Sequence, residues 1–303
     1  MPTNEQRRQA AKRKLERQLE RRQERAKKRR QLAVALSAVA VVVVAGLVVL
    51  LVTVTRGGGS SADTAAATST PPTSTPATTT TGAAPAAAAL PTGRATALPA
   101  TVDCTYAATA GQPASKPNTP PGTTGISTEG TVAVTMATSA GDIGLTLDRA
   151  LAPCTVNSFL SLVSQQYFDS TPCHRLTTTG IKVLQCGDPT GTGQGGPGYS
   201  FANEFPTDQL APGDAALSAP ATYPRGSIAM ANSGPDTNGS QFFLVYDNSP
   251  LPPGYTLFGT ISDAGLAVLD KVAAAGSDGS LDPSPGGGKP NTPVTITTMT
   301  AAA

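Results

Sequence analysis

The sequence has no tryptophan, a single histidine (His174) and four cysteines among 303 residues, and aromatic residues make up only 4% of it. So few potential ligands exclude zinc arrays, His-rich metal sites and catalysis by several histidines. A Ser-His-Asp hydrolase would have to use His174. Charged residues are scarce as well, at 14%, whereas 31 Gly and 27 Pro are too many for one uniformly packed globule. The small formal net charge of +2 conceals an asymmetry: residues 1–30 carry 13 basic and 4 acidic side chains, and the remainder carries 9 and 16. An acidic body with a basic terminus argues against a globular nucleic-acid binder and for a local job at that terminus.

The segment next to the basic terminus accounts for that job. Residues 31–55 (QLAVALSAVAVVVVAGLVVLLVTVT) contain no charge and end at Arg56. About 20 helical residues cross the ~30 Å hydrocarbon layer, so this stretch reads as one transmembrane helix. The basic flank then places residues 1–30 in the cytoplasm and the bulk of the chain outside, as a single-pass protein of the cell membrane. A cleaved signal peptide is the competing reading. Signal h-regions usually run ~7–15 residues and end at an A-x-A-like site, whereas this run is longer and leads into Thr53-Val54-Thr55-Arg56 and three glycines. Within the basic segment Glu16, Glu20 and Glu24 and Arg13, Arg17, Arg21 and Arg25 recur at every fourth position, the pattern of a solvated charged helix.

Residues 56–100 are almost entirely Gly, Ser, Thr, Ala and Pro, with too little apolar bulk to offset chain ordering, and read as a disordered linker. Held near polyproline II at ~3.1 Å per residue, this tract would reach on the order of 140 Å. Residues 101–129 form a Pro-rich lead-in containing Cys104, and residues 130–303 a folded domain. There Val132, Val134 and Met136 alternate on one face, followed by a turn at 139–142 and by Ile143, Leu145 and Leu147, which reads as a half-buried hairpin. Residues 153–168 place Val156, Phe159, Leu160, Val163 and Tyr167 at helical spacing behind Pro153, and a second helix is expected over 263–275 with Leu266, Leu269 and Val272 inward. Short apolar runs broken by Gly, Pro, Asn and Asp fill the interval, as in a small antiparallel barrel, and residues 294–300 would close it.

Two formal motifs are set aside. The run GTGQGG at 191–196 satisfies a dinucleotide-loop pattern, but Pro197 and Gly198 follow it where a helix is required. Asn238-Gly239-Ser240 is a glycosylation sequon inside a stretch that reads as buried.

Three segments are unusual together: Cys173-His174-Arg175-Leu176, Leu184-Gln185-Cys186-Gly187-Asp188, and the run from Met230 to Phe243 (MANSGPDTNGSQFF). The last resembles the signature of cyclophilin-type peptidyl-prolyl isomerases along its whole length. The other two lie near that family's spacing, and the resemblance covers about 130–300. It implies a mainly β fold, an eight-stranded antiparallel β-barrel capped by two α-helices. It also implies acceleration of X–Pro rotation with no metal and no cofactor; the anchor reading makes the substrates exported proteins, and the charge distribution argues against nucleic acid. The partners are proline-containing polypeptides, and the expected state is a monomer. Carried over residue by residue, Arg175 is the catalytic donor, supported by Gln185. Phe243 and Leu251 line the proline pocket, Asn232 and Gln241 hydrogen-bond the substrate backbone, and Ala231 lines the groove. His174 is structural. The sequence departs from the family at Lys182, where an aromatic pocket residue is usual, and at Val183, where a Met is common. Pro250 stands in place of a frequent Trp, and Tyr255 in place of a frequent His. Lys182 keeps open a second reading, a weakly active or inactive module that grips Pro-containing segments as a chaperone or adaptor.

The four cysteines of an exported domain are expected to be oxidised. Cys173 and Cys186, on neighbouring strands either side of a loop, form the favoured pair. Cys104 is then left for Cys154, in preference to the two other connectivities.

Overall fold

The structure, a computed structural model, describes residues 87–302. The basic segment 1–30, the apolar stretch 31–55 and most of the expected linker lie outside the described residues. Among those described, no helix is long and apolar enough to cross a membrane.

The alternating segment forms the expected hairpin of β1 (Thr131–Thr138) and β2 (Ile143–Asp148), in the register Val132↔Leu147, Val134↔Leu145 and Met136↔Ile143. Period-two alternation puts every one of these side chains on the buried face. Seven further strands complete an antiparallel sheet: β3 (Thr171–Pro172), β4 (Arg175–Thr177), β5 (Val183–Cys186), β6 (Ser227–Met230), β7 (Phe242–Val245), β8 (Leu257–Ile261) and β9 (Thr295–Ala301). Their pairing order is β3-β9-β1-β2-β8-β6-β7-β5-β4. The first and last strands of this order are nearly consecutive in the chain, so segment 171–177 bonds to β9 through one end and to β5 through the other. The sheet is therefore curled.

Helix α1 (Pro153–Ser164) begins with Pro in its first turn and has no side-chain cap of its own at Ala152. Glu204 supplies one from fifty residues away, accepting from the Cys154 N–H (3.0 Å), the Thr155 N–H (2.7 Å) and the Thr155 hydroxyl (2.6 Å). The helix ends four residues before the expected boundary, because Gln166 adopts a left-handed φ of 56°. Tyr167 and Phe168 are buried from the turn beyond it. Leu160 packs partly buried against the core as expected, and Leu162 is buried beside it. Phe159 stacks within 5.0–5.3 Å of Phe168, Phe242 and Phe258, joining helix to sheet. Helix α2 (Asp263–Ala274) is capped by the Ser262 hydroxyl, which accepts from the Gly265 N–H, and buries Leu266, Leu269 and Val272 as expected.

The two sheet faces carry separate apolar clusters. One, against the helices, includes Leu184, Phe242 and Leu244; the other includes Val183, Phe205, Tyr223, Ala229, Phe243, Val245 and Leu257. Alternation along β5 and β7 divides neighbouring residues between them.

Two segments belong to the fold more fully than composition suggested. The lead-in is linked by Cys104–Cys154 (Cα–Cα 5.5 Å), and the Tyr106 hydroxyl donates to the Cys154 carbonyl at 2.7 Å. The Lys116 ammonium donates to the carbonyls of Tyr167 and Asp169. The last part of the 56–100 linker is also docked, which corrects the reading of it as disordered throughout. Ala88–Ala89 pairs in parallel with Ala221–Thr222, and Leu90 packs on the second cluster. The Arg94 side chain, 6% exposed, pairs with Asp208 at 2.7 Å and donates to the Leu151 carbonyl at 2.7 Å. Pairing through backbone alone is invisible to composition, so poly-Ala reads as linker whether or not it has found a sheet edge.

Candidate active site

The sheet register assembles the site. Across adjacent strands, Arg175 on β4 pairs with Gln185 on β5, Gln185 with Phe243 on β7, Phe243 with Ala229 on β6, and Ala229 with Leu257 on β8. Residues directly opposed in antiparallel strands share a face. One row therefore runs from a guanidinium through an amide to an apolar patch.

At the polar end the side chains are linked in series. Arg175 Nη1 donates to Gln185 Oε1 at 3.2 Å, Gln185 Nε2 to Gln241 Oε1 at 3.0 Å, and Gln241 Nε2 to the Gly195 carbonyl at 2.9 Å. Arg175 is also held from the far side, Nε by the Gly286 carbonyl (2.9 Å) and Nη2 by the Pro285 carbonyl (2.6 Å). Partial burial lowers the guanidinium's pKa from its ordinary value, yet a group that starts so high stays cationic at working pH.

At the apolar end Phe243, 5% exposed, meets Tyr255 edge-on with ring centroids 5.6 Å apart. Tyr223 completes the aromatic group, 6.3 Å from Phe243 and 6.4 Å from Tyr255. Its hydroxyl donates to the Tyr255 carbonyl at 2.7 Å, and burial pushes that phenol up. Leu251, Ala231 and Val183 belong to the same cluster. Asn232 uses its side chain within the protein, donating to the Gly254 carbonyl at 2.8 Å.

Lys182 is not part of this patch. Its ammonium lies 3.0 Å from Asp247 in an exposed ion pair, whereas Ile181 packs on the second cluster. The expected replacement of an aromatic pocket wall by Lys182 is thus corrected: the apolar side chain here is Ile181. Period-two counting back from Gln185 through Val183 would have found it. Tyr223 and the carbonyls of 285–286 were also missed, and no local pattern marks them.

The supporting loops explain the remaining motifs. Gly187 has φ 91°, and a Cβ there would lie 2.2 Å from the Ser240 carbonyl, so only glycine lets the QCGD and NGSQFF segments cross. The glycine-rich run at 191–196 cradles an internal carboxylate. Asp188 accepts from the N–H groups of Thr190 (2.7 Å), Thr192 (3.2 Å) and Gly195 (3.0 Å). Burial acts to raise this carboxyl, but the bonds from Gly195 and Thr190 outweigh it and hold the group below its ordinary value. Asn238 of the sequon is buried, and its Nδ2 donates to the Ala202 carbonyl. Both ring nitrogens of His174 are buried without a partner among the described residues, and burial lowers its pKa. Cys173 and Cys186 are joined, with Cα atoms 4.0 Å apart.

The curled antiparallel sheet with two helices is the coarse fold that the signature run implied. The sequence model of the family described as "Cyclophilin type peptidyl-prolyl cis-trans isomerase/CLD" matches residues 133–301, and the chain belongs to that family. It is 55% identical over 200 residues to a "Probable peptidyl-prolyl cis-trans isomerase B" of Mycobacterium leprae, covering 65% of this chain and 66% of that protein. Its identity to the protein of the same description from Mycobacterium tuberculosis is 57% over 169 residues, covering 55% of this chain and 54% of that one. The chain thus spans about half to two thirds of these relatives. A crystal structure of a cyclophilin type peptidyl-prolyl cis-trans isomerase from Cryptosporidium parvum aligns with a TM-score of 0.45 at 30% identity, covering 57% of this chain and 99% of that one.

Proposed function

We propose that this protein is a peptidyl-prolyl cis-trans isomerase acting on exported polypeptides. The observation that carries the proposal is the row from Arg175 through Gln185 to Phe243, which sets a fixed cation beside an apolar patch of the kind a proline ring occupies. X–Pro rotation is opposed by ~18–20 kcal/mol of partial double-bond character and takes ~10–100 s unaided. As the bond twists, the imide nitrogen loses its overlap with the carbonyl and becomes a hydrogen-bond acceptor. A donor aimed at that nitrogen therefore binds the transition state more tightly than the planar ground state. Arg175 has five N–H groups, of which three are engaged within the protein, so two remain for this work. Gln185 and the 285–286 carbonyls fix its orientation, so little is lost to reorganisation when the substrate twists. Phe243, Leu251 and Tyr255 hold the ring, while Gln241, Asn232 and Ala231 border the path of the substrate backbone. No nucleophile, metal or cofactor takes part.

The eight-stranded barrel of the family reading is part of the proposal, and counting 171–177 as one strand supports it. Further elements of the proposal are a monomeric state and a membrane anchor at 31–55 with the domain outside the cytoplasm. Two disulfides support an oxidising compartment.

The test is NMR exchange or a protease-coupled assay on short X–Pro peptides with the chain from residue 87 onward. Acceleration abolished by Arg175→Ala is the expected result. Peptide binding without acceleration would return the adaptor reading.

A further inference from the structure

Beyond Gln241 the site opens into a cavity of about 540 Å³. Gln185, Gln241, Ala231 and Asn232 border it on one side and the loop 193–200 on another. Its third wall is the chain's own lead-in, through Thr109, Gln112 and Pro113. Ala231 also packs on the proline-pocket cluster, so cavity and pocket adjoin.

The third wall is firmly built. Ala107–Ala108 pairs with Tyr199–Ser200. The Thr109 N–H donates to the Gly198 carbonyl at 2.9 Å, and Ser115 and Gly196 exchange bonds at 2.9 and 3.0 Å. Gly195 is the joint: a Cβ there would lie 2.0 Å from Asp188 Oδ1 and 2.6 Å from Ser115 Oγ, while its carbonyl holds Gln241. Between these ties the chain turns at Thr109–Gln112, closed by the Gln112 N–H on the Thr109 carbonyl at 3.2 Å, and leaves Gln112 and Pro113 exposed at the tip. No charged side chain lines the cavity; glycine, Thr, Ser, Asn and Gln make up most of its walls, with Ala231, Pro113, Pro197 and Tyr199 among them.

We propose that the Thr109–Pro113 turn is a specificity wall, limiting the part of a proline-containing polypeptide that passes Gln241 and selecting a short, uncharged, polar side chain there. A bulky side chain would meet Gln112 and Pro113. A charged one would lose hydration without a counter-ion. The proposal rests on the isomerase reading above and adds its substrate class.

The test compares the full chain with two variants, Gln112→Ala/Pro113→Ala and Gln112→Trp. A peptide panel carries Ser, Trp, Lys or Glu at each of the three positions on either side of an X–Pro bond. Both kcat/KM and peptide Kd are measured, with thermal midpoints as the check on folding. At one position the wild type is expected to prefer Ser over Trp and Lys by about tenfold or more, the trimmed variant to lose most of that preference for Trp, and Gln112→Trp to sharpen it. Equal ratios in all three chains, or no preference in the wild type, would overturn the wall while leaving normal turnover to support the isomerase. Shifted Kd ratios without turnover in any chain would uphold the wall and sink the isomerase reading.

Discussion

Arg175 is held by three protein acceptors before any substrate arrives, and this is what separates it from a surface ion pair. On the proposed mechanism, replacing it with Ala removes the donor that strengthens only as the imide twists. kcat/KM for an X–Pro peptide should fall by about 10²–10³, the range for losing one transition-state donor, while the circular dichroism spectrum stays native. Activity within twofold of wild type would refute the mechanism. Arg175→Lys should also be impaired, because a point charge cannot span the Gln185 amide and the 285–286 carbonyls as the guanidinium fork does. Asp188 gives a pH-dependent prediction. Its carboxyl is held below the ordinary range by bonds that exist only in the folded chain, so its stabilisation is complete above the unfolded pKa and is lost as pH falls through the folded one. Asp188→Asn should cost on the order of 2–3 kcal/mol at pH 6. Thermal midpoints of variant and wild type should converge as the pH is lowered below about 4. A gap that stays constant to pH 2.5 would show that the carboxylate's charge contributes nothing.

The elements divide by how much of their determinants lie within them. The β1–β2 hairpin was legible because alternation and a turn are local, and α2 because Ser262, Asp263 and its apolar stripe define it from within. Helix α1 was legible as a helix but not in its end, since Tyr167 and Phe168 are buried equally well from the turn at Gln166. Its cap could not be read at all, because Glu204 lies fifty residues away. In the site, the motif residues Arg175, Gln185, Gln241 and Phe243 were all legible, whereas Ile181 was passed over for Lys182 and Tyr223 carries no motif. The docked residues 88–95 had one signal, Arg94, the single charge between Asp63 and Asp103. Arg94→Ala should lower stability by about 2–3 kcal/mol, since Asp208 and the Leu151 carbonyl lose a charged partner. A thermal midpoint equal to wild type would mean that the docked strand adds nothing. The disulfides act at this scale as well. Loop-closure entropy ranks Cys104–Cys154, spanning 50 residues, above Cys173–Cys186, spanning 13, at about 4 and 3 kcal/mol. Double Ser replacements should destabilise in that order in denaturant titrations. Non-reducing peptide mapping of exported material should find no free thiol.

For the whole molecule, the proposed topology rests on charge and covalent chemistry. The 13 basic residues precede the apolar stretch, which favours a cytoplasmic N-terminus, and both disulfides lie on its other side, where thiols can be oxidised. Had the domain faced the cytoplasm, the basic flank would sit on the disfavoured side and the Cys104–Cys154 link that ties the lead-in to α1 would face reducing conditions. Since the fold is already engaged at Ala88, about 30 residues separate it in sequence from the proposed anchor. A reporter fused after Ala303 should therefore be active only if it requires export, and the full chain should pellet with membranes and resist extraction by high salt, which would strip a merely electrostatic attachment through residues 1–30. Replacing the arginines and lysines of that segment with glutamine should reduce export of the reporter, because the charge bias on which the proposed orientation rests is then gone. A soluble exported form beginning near Gly57 would show instead that the apolar stretch is cleaved, and a reporter active only in the cytoplasm would overturn the topology.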